Sequence, residues 1–111
     1  YDRVKDKLIG YSFSDSEIKN CIAEVYQKTK YTLDPHGACA YMGLKKELKE
    51  SETGIFLETA HPAKFSETVS ESIGQSITIP DSLNAIIVKK KTAIQCMPSL
   101  DDLRGVFNKV L

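Results

Sequence analysis

Two histidines are the only imidazoles in the 111 residues, and each sits beside a proline where a helix should begin. His61 precedes Pro62 in the run Glu58-Thr59-Ala60-His61-Pro62-Ala63-Lys64-Phe65, and His36 follows Pro35 in Leu33-Asp34-Pro35-His36-Gly37-Ala38. Proline suits the first helical position because its missing N–H would have no intrahelical partner there. Such a start also presents unpaired N–H groups and the positive end of the helix dipole, which favour a phosphate or carboxylate. The chemistry on offer at both turns is therefore contact with an anionic group of a cofactor or substrate. A plainer reading fits the same residues: His61 caps its helix and His36 packs in a turn. Two histidines on unlinked turns make no metal-ligand pattern. Cys39 lies about one helical turn beyond His36, but Ala38, Ala40 and Tyr41 give it the surroundings of a small hydrophobe. Neither a GxGxxG nor a Walker-type phosphate loop occurs in the chain.

The elements that must position these residues follow from pattern. Gly54 to Phe65 reads as an apolar β-type run, Ile55-Phe56-Leu57, a polar turn carrying Thr59 and His61, and a helix from Pro62. In an open α/β sheet, ligands sit at such turns beyond the strand ends. Phe65, Val69 and Ile73 recur every four residues and carry the helix to Gly74, a natural stop. Upstream, Ser14-Asp15-Ser16-Glu17 fits a capping box, followed by the stripe Ile18, Cys21, Ile22, Val25 and Tyr26 on a helix reaching about Lys30. Asp34 and Pro35 give the next start signal, and the small residues at 37, 38 and 40 let that helix lie close against a backbone or ligand. Tyr31-Thr32-Leu33 and Ser76 to Pro80 read as short β segments, the second an edge strand ended by proline. Asp81 caps a short helix holding Leu83, Ile86 and Ile87, Lys89 to Lys91 form a solvated loop, and Thr92 to Met97 is extended or irregular. Ser99 caps a last helix with Asp101 and Asp102 in its first turn and the stripe Leu103, Val106, Phe107 and Val110.

Composition bounds the classes. Fifteen basic and fifteen acidic residues cancel, so no surplus charge suggests nucleic acid or an anionic membrane as partner. Three widely spaced cysteines without a CxxC argue against a disulfide framework or zinc site and for a reducing, cytoplasmic compartment. The apolar runs are too short to span a bilayer. The chain opens Tyr1-Asp2-Arg3 without a methionine and closes inside a helical pattern, so both ends are read as cuts.

The strings E-T-A-H-P-A-K-F (58–65) and L-D-P-H-G-A (33–38) resemble the C-terminal part of threonine synthases, and the similarity extends over about residues 11 to 111. The resemblance implies an α/β fold: a helix-rich C-terminal part of a tryptophan-synthase-β-like (fold type II) pyridoxal-phosphate enzyme, with few short strands. Residues 1–111 would be one fragment of the catalytic region. The family converts O-phosphohomoserine and water to threonine and phosphate. Its Schiff-base lysine and phosphate-cradling loop lie in earlier motifs that are not found here, which implies a fragment inactive alone. Thr59 matches the hydroxyl that meets the pyridine nitrogen of the cofactor, and His36, His61 and Lys64 would form the site wall. The implied partner is the remainder of the same chain, and a piece holding only late strands should compensate for its unpaired edge by self-association, a terminal rearrangement or a partly altered fold. Two other readings stay open: a non-catalytic α/β interaction module, and another pyridoxal-phosphate-dependent replacement enzyme.

Overall fold

The computed structural model describes residue 3 and residues 5–110. Tyr1, Asp2, Val4 and Leu111, with the side chain of Val110, lie outside the described residues, and with them the expected chain ends and the last member of the final stripe. Among the described residues five α-helices follow one another: α1 (Asp15–Thr29), α2 (Pro35–Glu47), α3 (Ser66–Ile73), α4 (Asp81–Ile87) and α5 (Leu100–Val110). Two 3₁₀ turns accompany them, Lys5–Lys7 and Pro62–Phe65.

Local chemistry explains the boundaries. Ser14 accepts from the Glu17 N–H while the Glu17 carboxylate takes the Ser14 N–H at 2.8 Å, a complete capping box that contributes about 1 kcal/mol. Lys30 ends α1 in the left-handed region at φ 61°, its N–H donating to the Tyr26 carbonyl. Asp34 caps α2 by accepting from the His36 N–H at 2.8 Å, with Pro35 in the first turn. Gly74 closes α3 at φ 70°, a conformation that glycine adopts without a Cβ clash. The helix expected from Pro62 to Gly74 starts as a 3₁₀ turn and becomes α-helical only at Ser66, with Phe65 at the joint at φ −122°, ψ 36°.

The core is small. Cys21 and Ile22 of α1, Leu33, Ala38 of α2 and Val69 of α3 are buried together, and Ile18, Val25, Tyr41, Met42, Phe56, Phe65, Ile73 and Ile77 pack around them. Two of the expected stripes are thus the faces that meet. Lys19 of α1 reaches Glu71 of α3 at 2.7 Å on the solvent side, an exposed pair that orients the helices more than it stabilises them.

No strand forms among the described residues, so the short strands expected at 31–33, 55–57 and 76–80 are not there. A strand exists only through a partner's ladder, and none of these segments meets one. The 55–57 stretch is instead pinned through one side chain, Phe56, whose ring meets Tyr41 edge-on at 5.6 Å. Its neighbours Ile55 and Leu57 remain 86% and 74% exposed. Alternation survives without the sheet.

α4 and α5 add no residue to the buried core among the described residues. Ser99 caps α5 as expected, accepting from the Asp102 N–H at 3.2 Å, but Leu100 and Phe107 stay largely exposed. The radius of gyration is accordingly 18.8 Å, where a compact chain of this length would have about 13 Å. Much apolar surface is uncovered.

Candidate functional site

The two motifs expected to matter are adjacent in space. The N-terminus of α2 and the turn ahead of α3 meet at Gly37, whose missing side chain leaves room for the Glu58 carboxylate: a Cβ there would stand 1.7 Å from Glu58 Oε2. Small residues were expected to admit a backbone or a ligand. They admit a carboxylate.

Asp34 is wholly buried, and its backbone N–H donates to Glu58 Oε1 at 3.2 Å. Its Oδ1 accepts the His36 N–H and also lies 2.8 Å from His36 Nδ1. Burial pushes the Asp34 carboxyl up, but hydrogen bonds from the His36 backbone and ring outweigh it and hold Asp34 below the usual aspartate range. Glu58 goes the other way, raised first by burial and then by the Asp34 carboxyl.

His36 projects outward, its ring edge-on to Phe65 at 5.1 Å, which joins the first motif to the end of the second. His61 is exposed and its Nδ1 accepts the Ala63 N–H at 3.1 Å, the capping role that the plainer reading assigns to it. Thr59 and Lys64 are exposed, and Thr59 makes no hydrogen bond to another described residue. A groove of about 550 Å³ runs along the C-terminal end of α1, lined by Tyr26, Lys30, Tyr31, His61 and Gln75 among others. Of the four expected site residues only His61 borders it.

Cys39 is half-buried, and burial together with Asp34 pushes its thiol up, away from the thiolate that a nucleophile needs. Among the described residues no group of three His, Cys, Asp or Glu side chains could hold a metal ion, and no helix is long and apolar enough to cross a membrane. Sequence reasoning missed the Asp34–Glu58 contact. Its one available signal was that each motif carries an acidic residue within its first two positions, with a glycine three positions after Asp34.

Comparison with known proteins places this arrangement. The threonine synthase crystal structure from Escherichia coli superposes with a TM-score of 0.80 at 30% identity, covering 91% of this chain and 24% of that one. A pyridoxal-phosphate-bound threonine synthase from Brucella melitensis gives 0.68 at 25% identity, over 82% of this chain and 20% of that one. The architecture is thus a helix-rich segment of a pyridoxal-phosphate enzyme fold. Residues 36–106 match the family model "Threonine synthase, C-terminal", and the chain belongs to that family. It is 49% identical over 71 residues to threonine synthase of Haemophilus influenzae, covering 64% of this chain and 16% of that protein. Against that of Escherichia coli it is 39% identical over 77 residues, 69% of this chain and 18% of that protein. The chain therefore spans about a sixth of the length of these curated relatives.

Proposed function

We propose that this chain is the C-terminal portion of a threonine synthase that converts O-phosphohomoserine and water to threonine and phosphate, and that Thr59 holds the pyridine nitrogen of pyridoxal phosphate. The observation that carries this reading is the convergence of the two motifs on Gly37 and Glu58. It leaves the exposed Thr59 hydroxyl, one residue beyond Glu58, without an internal partner and available to a group from outside. The cofactor, when bound, supplies the electron sink for elimination and replacement at the substrate carbons. What Thr59 adds is a neutral hydrogen bond. A hydroxyl leaves the ring nitrogen largely unprotonated, whereas a carboxylate would hold a proton there. His36, His61 and Lys64 form the wall beside it, His61 through a ring already fixed by its cap.

The reaction class is that of a lyase acting on a carbon–oxygen bond to phosphate. The lysine that anchors the cofactor and the loop that cradles its phosphate belong to the remainder of the same chain, so this segment alone is inactive. That remainder also covers the apolar surface, including Ile55, Leu57, Leu100 and Phe107, and the working compartment is the cytoplasm. Without it the segment buries the same surface against copies of itself. Light scattering of the 111-residue chain at tens of micromolar is expected to give a mass above the monomer, and a monodisperse monomer would remove this covering argument.

Thr59→Val in the complete enzyme keeps the shape and deletes the hydroxyl. Phosphate release from O-phosphohomoserine should fall by about tenfold or more in kcat, the equivalent of roughly 1.4 kcal/mol, and the cofactor absorption should shift. Unchanged turnover with an unchanged spectrum would take Thr59 out of the site.

A further inference from the structure

Each of the two turns sends a carboxyl group to the same buried spot. One oxygen of each is accounted for: Asp34 Oδ1 faces the His36 N–H and ring, and Glu58 Oε1 takes the Asp34 N–H. The other two, Asp34 Oδ2 and Glu58 Oε2, are buried and meet no donor among the described residues. Glu58 reaches the Asp34 backbone at 3.2 Å, and the free oxygen of each carboxyl group is buried, so the two groups share one desolvated neighbourhood. Both cannot stay ionised cheaply. Buried acceptors without a donor are each unfavourable, and two desolvated like charges side by side add repulsion. A single proton held between them removes the repulsion and supplies the missing donor.

We propose that Asp34 and Glu58 share one proton, carried on Glu58 and donated to the Asp34 carboxylate, and that this pair is the positioning unit behind Thr59 and His36. Glu58 is bonded directly to Thr59, so anchoring its side chain at the start of α2 fixes the backbone from which the Thr59 hydroxyl projects. Asp34 remains the charged member. Its Oδ1 faces His36 Nδ1, which places a proton on that nitrogen and turns Nε2 outward. The residues are suited to these roles by position: Asp34 is wholly buried, Glu58 is half-buried, and Gly37 provides the space between them. The other titratable groups that face the pair are His36 and, more weakly, Cys39, both on α2.

The shared proton stands on the geometry of this chain, whereas what it positions rests on the threonine synthase reading, and the test separates the two. In the full-length gene product, infrared spectra at pH 7 should show a protonated-carboxyl C=O stretch that disappears in Glu58→Gln. No such band in the wild type, or a band that Glu58→Gln leaves in place, would overturn the proposal. In the phosphate-release assay Glu58→Ala is expected to lose about tenfold or more in kcat/KM. Glu58→Gln, whose amide N–H can donate to Asp34 in place of the proton, should recover most of that loss. The wild type should decline as pH rises through the raised Glu58 pKa, because deprotonation sets two charges side by side, and Glu58→Gln should lack that decline. A purely space-filling Glu58 would give the same pH profile in both proteins, which would also overturn it. A wild type that shows the band but releases no phosphate supports the shared proton and sinks the functional reading instead.

Discussion

Ile22→Ala is expected to lower the unfolding free energy of this chain by about 2–5 kcal/mol, the usual range for truncating a fully buried isoleucine. Ile22 has no exposed surface, and it sits on α1 at the point where Leu33, Ala38 and Val69 close over it. The removed atoms lose their transfer free energy, and the cavity left behind adds a second term because three separate elements would have to move to fill it. Domains of this size are stable by only about 5–15 kcal/mol. With so few buried side chains here, the substitution removes a large share of what holds α1, α2 and α3 together. The measurement is urea unfolding followed by far-UV circular dichroism, at two protein concentrations so that association is seen separately. Ile86→Ala is the control. It is 62% exposed on α4 and should shift stability by no more than about 0.5 kcal/mol. Equal effects at the two positions would mean that the core is not where the structure puts it.

The same contrast explains what was legible in the sequence. α1 and α5 were readable because caps and apolar periodicity are local: Ser14, Glu17 and Ser99 act within three residues of themselves. Which stripe ends up covered is not local. Ile22 and Phe107 occupy equivalent places in their patterns, yet one is buried and the other is 55% exposed. The expected strands failed for a related reason. Ile55-Phe56-Leu57 has the composition and alternation of a strand, but a strand is a property of two segments, and the described residues hold no partner for it. At the site, Asp34 was read correctly as a cap, and His61 likewise served the capping role that residue type and position allow. What stayed hidden was the contact of Asp34 with Glu58 across 24 positions of sequence. Acidic residues at turns usually face water, so nothing in either string alone announces that these two face each other. The glycine between them did carry the information, as a small residue at the start of a helix that has no local use for one.

Gly37→Ala tests that glycine directly, and two physical terms compete. In an isolated helix alanine is better than glycine by about 1 kcal/mol, so propensity alone makes the substitution stabilising. Here the new Cβ would lie 1.7 Å from Glu58 Oε2, 2.4 Å from Cδ and 2.7 Å from Oε1, all impossible separations. The Glu58 side chain is flexible at its end, but its carboxylate is tied to the Asp34 N–H, so it cannot swing aside without releasing that bond. An unpaired buried donor costs about 1–3 kcal/mol, and forcing an added carbon into a filled site costs a similar amount. The clash wins. Gly37→Ala should destabilise the chain by about 1–4 kcal/mol net in urea unfolding. In the complete enzyme it should also depress phosphate release, because Thr59 moves with Glu58. The decisive comparison is the same substitution in a Glu58→Ala background. With the carboxylate gone the three closest clashes of the Cβ are removed, so alanine at 37 should there be neutral or stabilising by up to about 1 kcal/mol. That reversal of sign is one that propensity, cavity or surface arguments do not produce separately. If Gly37→Ala instead stabilises the parent, the carboxylate leaves its seat freely, and the contact between the two turns holds nothing in place.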